Sequence, residues 1–301
     1  MWGKVALNVF VLITGYYMCQ KSLTVKRYLK LLLEIFFWSW VMWVVLSVTG
    51  YDTLNWSGVF RRLYTLFTQQ DSAFISAFMW MYLLIPALNI YLSGATKRNL
   101  YSTLSVLLVM FSFCGTFLNA NVFHHMFWYA TLYLIGACIR IHPFDWMKKN
   151  KVYVPLFVLS VMAAWCSVIG INVLAWYLKR PTWHPYSFVH DSHKVLAVMV
   201  SVSAFLVFRN WRLPQSRFIN AVASTTFGVL LIHGASDGMR KWLWQDFVNV
   251  PAAYSISLPM LIVYSVVVMV GVFAVCSALD YLRIRFIERP LFKVLSLRFG
   301  I

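Results

Sequence analysis

The chain has 301 residues, of which 61% are hydrophobic and only 12% charged, with a mean hydropathy of +0.72 and a formal net charge of +17. A soluble domain carries about a quarter charged residues, so this composition cannot clothe a water-facing surface and excludes an ordinary soluble protein. Nor does the basic excess mark a nucleic-acid binder: no long Lys/Arg cluster or aromatic-spaced basic stripe accompanies it, and basic residues of membrane proteins gather in cytoplasmic loops.

A membrane-spanning helix needs about 20 mainly apolar residues. In chain order the candidates are residues 5–19, 31–50, 73–92, 101–118, 122–141, 152–177, 195–208, 218–233 and 255–282. None alternates as a barrel strand does. The predicted fold class is therefore all-α, a polytopic membrane helix bundle of about nine transmembrane helices. One membrane-embedded domain is expected over 1–301. The first run ends Gly15-Tyr-Tyr-Met-Cys19 with no small-x-small cleavage site, so it reads as a span and not a signal peptide. The five cysteines are scattered within or beside apolar runs and read as packing residues.

Most of the 26 Lys and Arg fall in alternate loops: around Lys21–Lys30, Lys97 and Arg98, Arg140–Lys151, Arg209–Arg217, and beyond Arg283. Those segments are expected on the cytoplasmic side of the plasma membrane, with the C-terminus inside. An odd number of spans then leaves Met1 outside. One more helix before Met1 would bring both ends to the cytoplasm.

Polar groups interrupt these runs at a few places. Glu34 follows Lys30 by four residues and Asp280 precedes Arg283 by three, spacings that pair side chains on one helix face. Glu288 falls just past the last span, where a charge costs little. The loop 179–194 carries His184, His190, Asp191 and His193; it reads as a wet interfacial loop, because its spacing matches no zinc signature. No metal is expected. His124 and His125 open a span beside Phe127-Trp128-Tyr129 and read as interfacial anchors.

The stretch Ser224-Thr-Thr-Phe-Gly-Val-Leu-Leu-Ile-His233 opens with three hydroxyls, closes on a histidine and is followed by Asp237, Arg240 and Trp242-Leu-Trp244. Ionisable groups at membrane depth usually face a bundle interior or a wet cavity, so His233 is a candidate for acceptor or proton chemistry. At 1.5 Å per residue it stands about 10–14 Å from the three hydroxyls, too far for a Ser–His nucleophile pair.

Read together, these motifs resemble the acyltransferase 3 family of integral membrane acyltransferases. Asn8-Val-Phe-Val-Leu-Ile-Thr-Gly-Tyr-Tyr17 resembles the family's Phe-Phe-Leu-Ile-Ser-Gly-Tyr helix, and Arg27-Tyr-Leu-Lys30 its cytoplasmic Arg-x-x-Arg, with Lys in the second place. Tyr82-Leu-Leu-Ile-Pro-Ala-Leu-Asn89 is similar to its Tyr-Leu-x-x-Pro-x-Leu-Asn segment, and 128–140 to the segment ending Gly-x-x-Ile-Arg. Residues 224–233 with Arg240 and 242–244 resemble the sugar O-acetyltransferase branch, and Asp280-x-x-Arg283 with Ile287-Glu-Arg-Pro290 the family's tail.

The resemblance implies transfer of an acetyl group from cytoplasmic acetyl-CoA to a hydroxyl of a cell-surface or lipid-linked polysaccharide. It implies Arg27, Lys30, Arg209 and Arg212 as cations for the CoA phosphates, and His233 with Arg240 on the acceptor side. Partners would be the lipid bilayer, acetyl-CoA and the glycan. Family members carry one further helix at the start, ten in all, with a histidine held to be catalytic. A preceding helix carrying that histidine is accordingly expected, and this chain is expected to be incomplete at its N-terminus: either a mis-started reading of a longer chain or a truncated, inactive member. The alternative is a non-enzymatic transporter or glycan flippase.

Overall fold

The computed structural model describes residues 2–64, 73–118, 123–180, 182–211, 214–234 and 236–299. Those residues are helical or in turns, with no strand among them. In chain order the helices begin with α1 (Trp2–Met18), α2 (Val25–Val48), α3 (Trp56–Tyr64), α4 (Ala73–Gly94) and α5 (Lys97–Leu108). A π-helical turn, Val109–Cys114, joins α5 to α6 (Gly115–Phe117). Next come α7 (His125–Ile141), a 3-10 turn at Asp145–Lys148, α8 (Asn150–Tyr177) and α9 (Val195–Asn210). After α10 (Arg217–Ser224), α11 (Thr226–His233) and α12 (Asp237–Arg240), a second π turn covers Lys241–Phe247. Then follow α13 (Val250–Ala253), α14 (Leu258–Arg283), a third π turn at Ile284–Glu288, and α15 (Arg289–Phe299).

Helix starts follow local chemistry. Thr24, Thr96, Ser216 and Ser236 each accept a hydrogen bond from the backbone N–H three residues on, capping α2, α5, α10 and α12. Asn249 takes the left-handed conformation (φ 53°) and caps α13 through Ala252 N.

Five helical stretches are long and apolar enough to cross a membrane: Val25–Val48, Phe74–Gly94, Lys97–Phe117, Asn150–Tyr177 and Leu258–Leu297. A sixth is added if Arg217–His233 and Asp237–Phe247, which meet at 96°, form one broken span. The protein is thus an all-helical integral membrane protein. The expected segments exceed these five or six because α1, α7 and α9 have 17, 17 and 16 residues, and because the helix from Arg217 to His233 breaks at Thr225. Such lengths give about 24–26 Å of helix, short of a hydrocarbon core about 30 Å thick.

By contact density the chain forms two compact units, interleaved in sequence: Met1–Leu23 with Ala77–Leu213, and Thr24–Ser76 with Pro214–Ile301. In the first, α1 lies backbone to backbone against α7. A Cβ on Gly15 would fall 2.2 Å from the Tyr133 carbonyl oxygen, and one on Gly136 would fall 2.3 Å from the Leu12 carbonyl oxygen. Small residues permit this approach, as in many membrane helix pairs. Buried Asn8 ties three elements: its amide donates to Ser192 O (2.7 Å) and Ser201 Oγ (3.1 Å), and its oxygen accepts from Trp128 Nε1 (3.4 Å). Asn89 does the same at the other end, donating to Met18 O (3.0 Å) and Lys21 O (3.2 Å) and accepting from the Tyr133 hydroxyl (2.7 Å).

The second unit is built on α2, α11 and α14. Gly228 of α11 leaves room for Asp280 of α14, whose carboxyl carbon would lie 2.1 Å from any Cβ there.

Candidate functional site

Four polar constellations stand out, two in the second unit and one at each end of the first. The deepest joins α2 to α14. Arg283 is 6% exposed and Asp280 fully buried. The guanidinium meets three carboxylates: Asp280 Oδ1 at 2.7 Å, Glu288 Oε2 at 2.9 Å and Glu34 Oε1 at 3.1 Å. Trp38 Nε1 donates to Asp280 (2.7 Å), and Lys30 Nζ to Glu288 Oε1 (2.8 Å) while standing 5.3 Å from the centre of the Phe292 ring. Paired charges of this kind are what burial requires.

This network corrects two expectations. Lys30 pairs with Glu288 and Glu34 with Arg283, so the i,i+4 pair Lys30–Glu34 gives way to two partners from the tail. Glu288 is no cheap surface charge: it sits in the π turn that carries α14 into α15, its side chain 14% exposed, between Lys30 and Arg283. The Asp280–Arg283 pair forms as its spacing predicts.

Some 24 Å along α2, taking 1.5 Å per residue from Lys30 to Leu46, lies the second constellation. There Gly238 of α12 abuts Tyr51 O and Leu46. His233 ends α11 here. Its Nδ1 lies 2.6 Å from Val229 O, and its ring meets Trp244 edge to face at 6.5 Å. Since a carbonyl only accepts, Nδ1 carries the proton in the neutral ring and Nε2 keeps its lone pair. Arg240 is ion-paired to Asp237. The three hydroxyls of Ser224, Thr225 and Thr226 donate to carbonyls of their own helix at Ala221, Val222 and Ala223. They are spent on the backbone, in keeping with their distance from His233.

In the first unit, one end gathers bases. Arg140 contacts Gln20 (3.3 Å) and Tyr16 (3.0 Å). Beside it in sequence, Lys148, Lys149, Lys151 and Arg209 line a cleft of about 620 Å³ with Tyr153 and Trp211. Arg209 Nη2 is fixed by Met147 O and Asn210 Oδ1, both at 3.0 Å. Of the cations expected for CoA phosphates, Arg209 lines this cleft and Lys30 is committed to Glu288. Arg27 lies in the first turn of α2, its backbone N–H on the Thr24 cap. Arg212 lies outside the described residues.

The opposite end of the first unit departs from the wet loop expected there. Ser192, His193 and Lys194 are buried, with Lys194 Nζ on Gly115 O at 2.5 Å, although His190 stays exposed and pairs with Asp191. His193 stacks on Phe123 at 4.2 Å, and its Nδ1 finds no partner among the described residues. Burial, aided by the Lys194 charge, pushes the His193 pKa down to about 4. A lowered pKa stabilises the fold above the unfolded value near 6.5 and loses that contribution as pH falls toward 4. Thermal unfolding in detergent is expected to show a loss of about 2 kcal/mol between pH 7 and pH 5, absent in His193→Phe; an unchanged pH slope in that variant would contradict the assignment. Among the described residues no three His, Cys, Asp or Glu side chains gather closely enough to hold a metal ion.

The sequence read through Asp280-x-x-Arg283 and found one pair where there is a five-membered network; Lys148-Lys-x-Lys151 was the available signal for the cleft. Trp242-Leu-Trp244 stands out after His233, but the packing of the Trp244 indole on the His233 ring has no signal in the sequence.

A helical membrane protein with a basic cleft on one unit and paired charges buried in the other is the class these features define. A family model described as an acyltransferase domain, acyltransferase 3, matches residues 1–281. The chain belongs to that family, whose members are membrane acyltransferases moving acyl groups other than aminoacyl groups from an acyl donor. No match was found among curated proteins or solved structures.

Proposed function

We propose that the chain is an O-acetyltransferase of the bacterial inner membrane, moving acetyl from cytoplasmic acetyl-CoA to a hydroxyl of a cell-surface or lipid-linked polysaccharide. The observation that carries this reading is the cleft around Arg209: three lysines and a positioned guanidinium concentrate positive charge where a phosphate-rich donor would dock. In this reading α1, α7, α9 and α10–α11 cross the bilayer alongside the five longer helices. The basic end of the first unit and the C-terminus then face the cytoplasm.

In the reaction the thioester C–S bond breaks, a C–O ester bond forms, and the acceptor's hydroxyl proton ends on the CoA sulfur, which leaves as the thiol. His233, with Nε2 left as an acceptor, takes the hydrogen bond of that hydroxyl. Arg240, oriented by Asp237, stabilises charge developing on the carbonyl oxygen. Arg27 adds positive charge on the donor side.

Full-length protein in nanodiscs with radiolabelled acetyl-CoA provides the test. Combined Lys149→Ala and Arg209→Ala substitution is expected to weaken CoA binding by tenfold or more, about 1.4 kcal/mol, and to flatten its salt dependence. His233→Ala is expected to leave CoA affinity intact and lower acetyl transfer at least tenfold. Unchanged CoA affinity in the first variant would remove the cleft from the donor site; unchanged transfer in the second would remove His233.

A further inference from the structure

The second unit holds an apolar cavity of about 210 Å³ beside His233. Its walls come from the π turn after α12, from α13 and from the first half of α14, and include Trp244, Val248, Ala253, Leu261, Val268 and Met269. Three hydroxyl-bearing side chains line it: Tyr264 donates to Val248 O, Ser265 donates to Leu261 O at 2.8 Å, and Tyr254 is exposed. A water needs two to four polar partners, so hydrocarbon is the fitting occupant of these walls. At about 30 Å³ per water of liquid volume, the space corresponds to about seven waters. It takes a short length of chain and leaves the remainder outside.

Its surroundings supply that chain. Tyr254 and Met269 on the cavity are exposed, and α14 next to them presents Val263, Val266, Val267 and Val270 outward. On a membrane-spanning helix these are lipid-facing positions, so the cavity opens sideways onto the bilayer. Trp244 is its link to chemistry, because the same indole packs against the His233 ring. Arg240 precedes Trp244 by four residues, close to one turn of the wider π helix, and Lys241 adjoins it in sequence. Lys241 is exposed and the Arg240 side chain is 47% exposed. Apolar walls, a lateral opening and the exposed Lys241, three residues before the lining Trp244, complement a lipid with an anionic head, while Arg240 is held by Asp237.

We infer that this cavity holds the first part of the hydrocarbon chain of a lipid-phosphate, with the phosphate at Lys241 and the headgroup hydroxyls beside His233. The role of those hydroxyls as acetyl acceptors rests on the acyl-transfer reading; the chain site does not. The acceptor class is then a lipid-linked glycan, loaded from within the membrane.

The full-length protein in phosphatidylcholine nanodiscs is illuminated with farnesyl phosphate carrying a photoreactive group near its head, and adducts are located by mass spectrometry. Adducts are expected within residues 244–269. Val268→Trp, which fills the cavity, should lower their yield at least tenfold, and Lys241→Glu several-fold, with CoA binding unchanged in both as evidence of folding. Adducts spread over other helices, a yield insensitive to Val268→Trp, or equal labelling by a photoreactive phosphatidylcholine would each overturn the inference. If the adducts form as described and no acetyl is transferred, the lipid site stands and the acyl-transfer role of His233 falls.

Discussion

Arg283→Ala is expected to destabilise the protein by about 3–5 kcal/mol, the cost of breaking a buried ion pair by removing one partner. Arg283 is the hub of its network: Asp280, Glu288 and Glu34 all converge on one guanidinium. Without it, Asp280 keeps only the Trp38 indole and Glu288 only Lys30. Lysine cannot restore three separately directed contacts, because the ammonium is a point charge and the guanidinium a planar fork, so Arg283→Lys should recover only part of the loss. Thermal unfolding in detergent would read the change as a drop of about 10 °C. A shift under 2 °C in Arg283→Ala would mean that the carboxylates find other compensation. Replacing Asp280 and Arg283 together by leucine and methionine should cost less than Arg283→Ala alone, since the fully buried Asp280 carboxylate goes with its cation, although Glu34 still loses its partner.

The second large effect lies between α1 and α7. Gly136→Val is expected to cost about 3 kcal/mol or more, at the upper end of overpacking penalties. The obstructing atoms are backbone: the Leu12 carbonyl oxygen would be 2.3 Å from a Cβ on Gly136, and the Tyr133 carbonyl oxygen 2.2 Å from one on Gly15. No side-chain rotation relieves either clash. Helix separation would also stretch the hydrogen bond from Trp128 to Asn8. Cysteine cross-linking between α1 and α7 at facing positions would follow the separation directly. Gly3→Val, which meets nothing within 4 Å, is the control on the partner helix α1. If Gly136→Val unfolds at the wild-type temperature, the close approach does not hold the pair.

The helices were largely legible because apolar runs are local. Residues 152–177 and 195–208 were expected as spans, and α8 and α9 cover Asn150–Tyr177 and Val195–Asn210. Pro86 inside α4 and Pro155 in the second turn of α8 did not stop either helix. What stayed hidden was long-range. Nothing in the tetrapeptide Arg27–Lys30 tells that Lys30 will meet a carboxylate 258 positions away, and local spacing favoured Glu34 instead. His193 was placed in a wet loop on composition, yet packing against Phe123 and Gly115 buries it. The break at Thr225 also escaped periodicity, since the residues on both sides continue one apolar pattern. At the candidate site, His233 was legible as an ionisable group closing a span. Its tautomer and its Trp244 neighbour required coordinates.

The tail helix has a consequence of another kind. From Leu258 to Leu297 it runs 40 residues, joined through a π turn and not a loop, or about 60 Å at 1.5 Å per residue. A hydrocarbon core about 30 Å thick accommodates only half of that. The other half, where Arg289 and Lys293 alternate with leucine and phenylalanine, must emerge as a stiff rod. Arg283 and Glu288 sit where that rod leaves the span, and their pairs with Glu34 and Lys30 tie its base to α2.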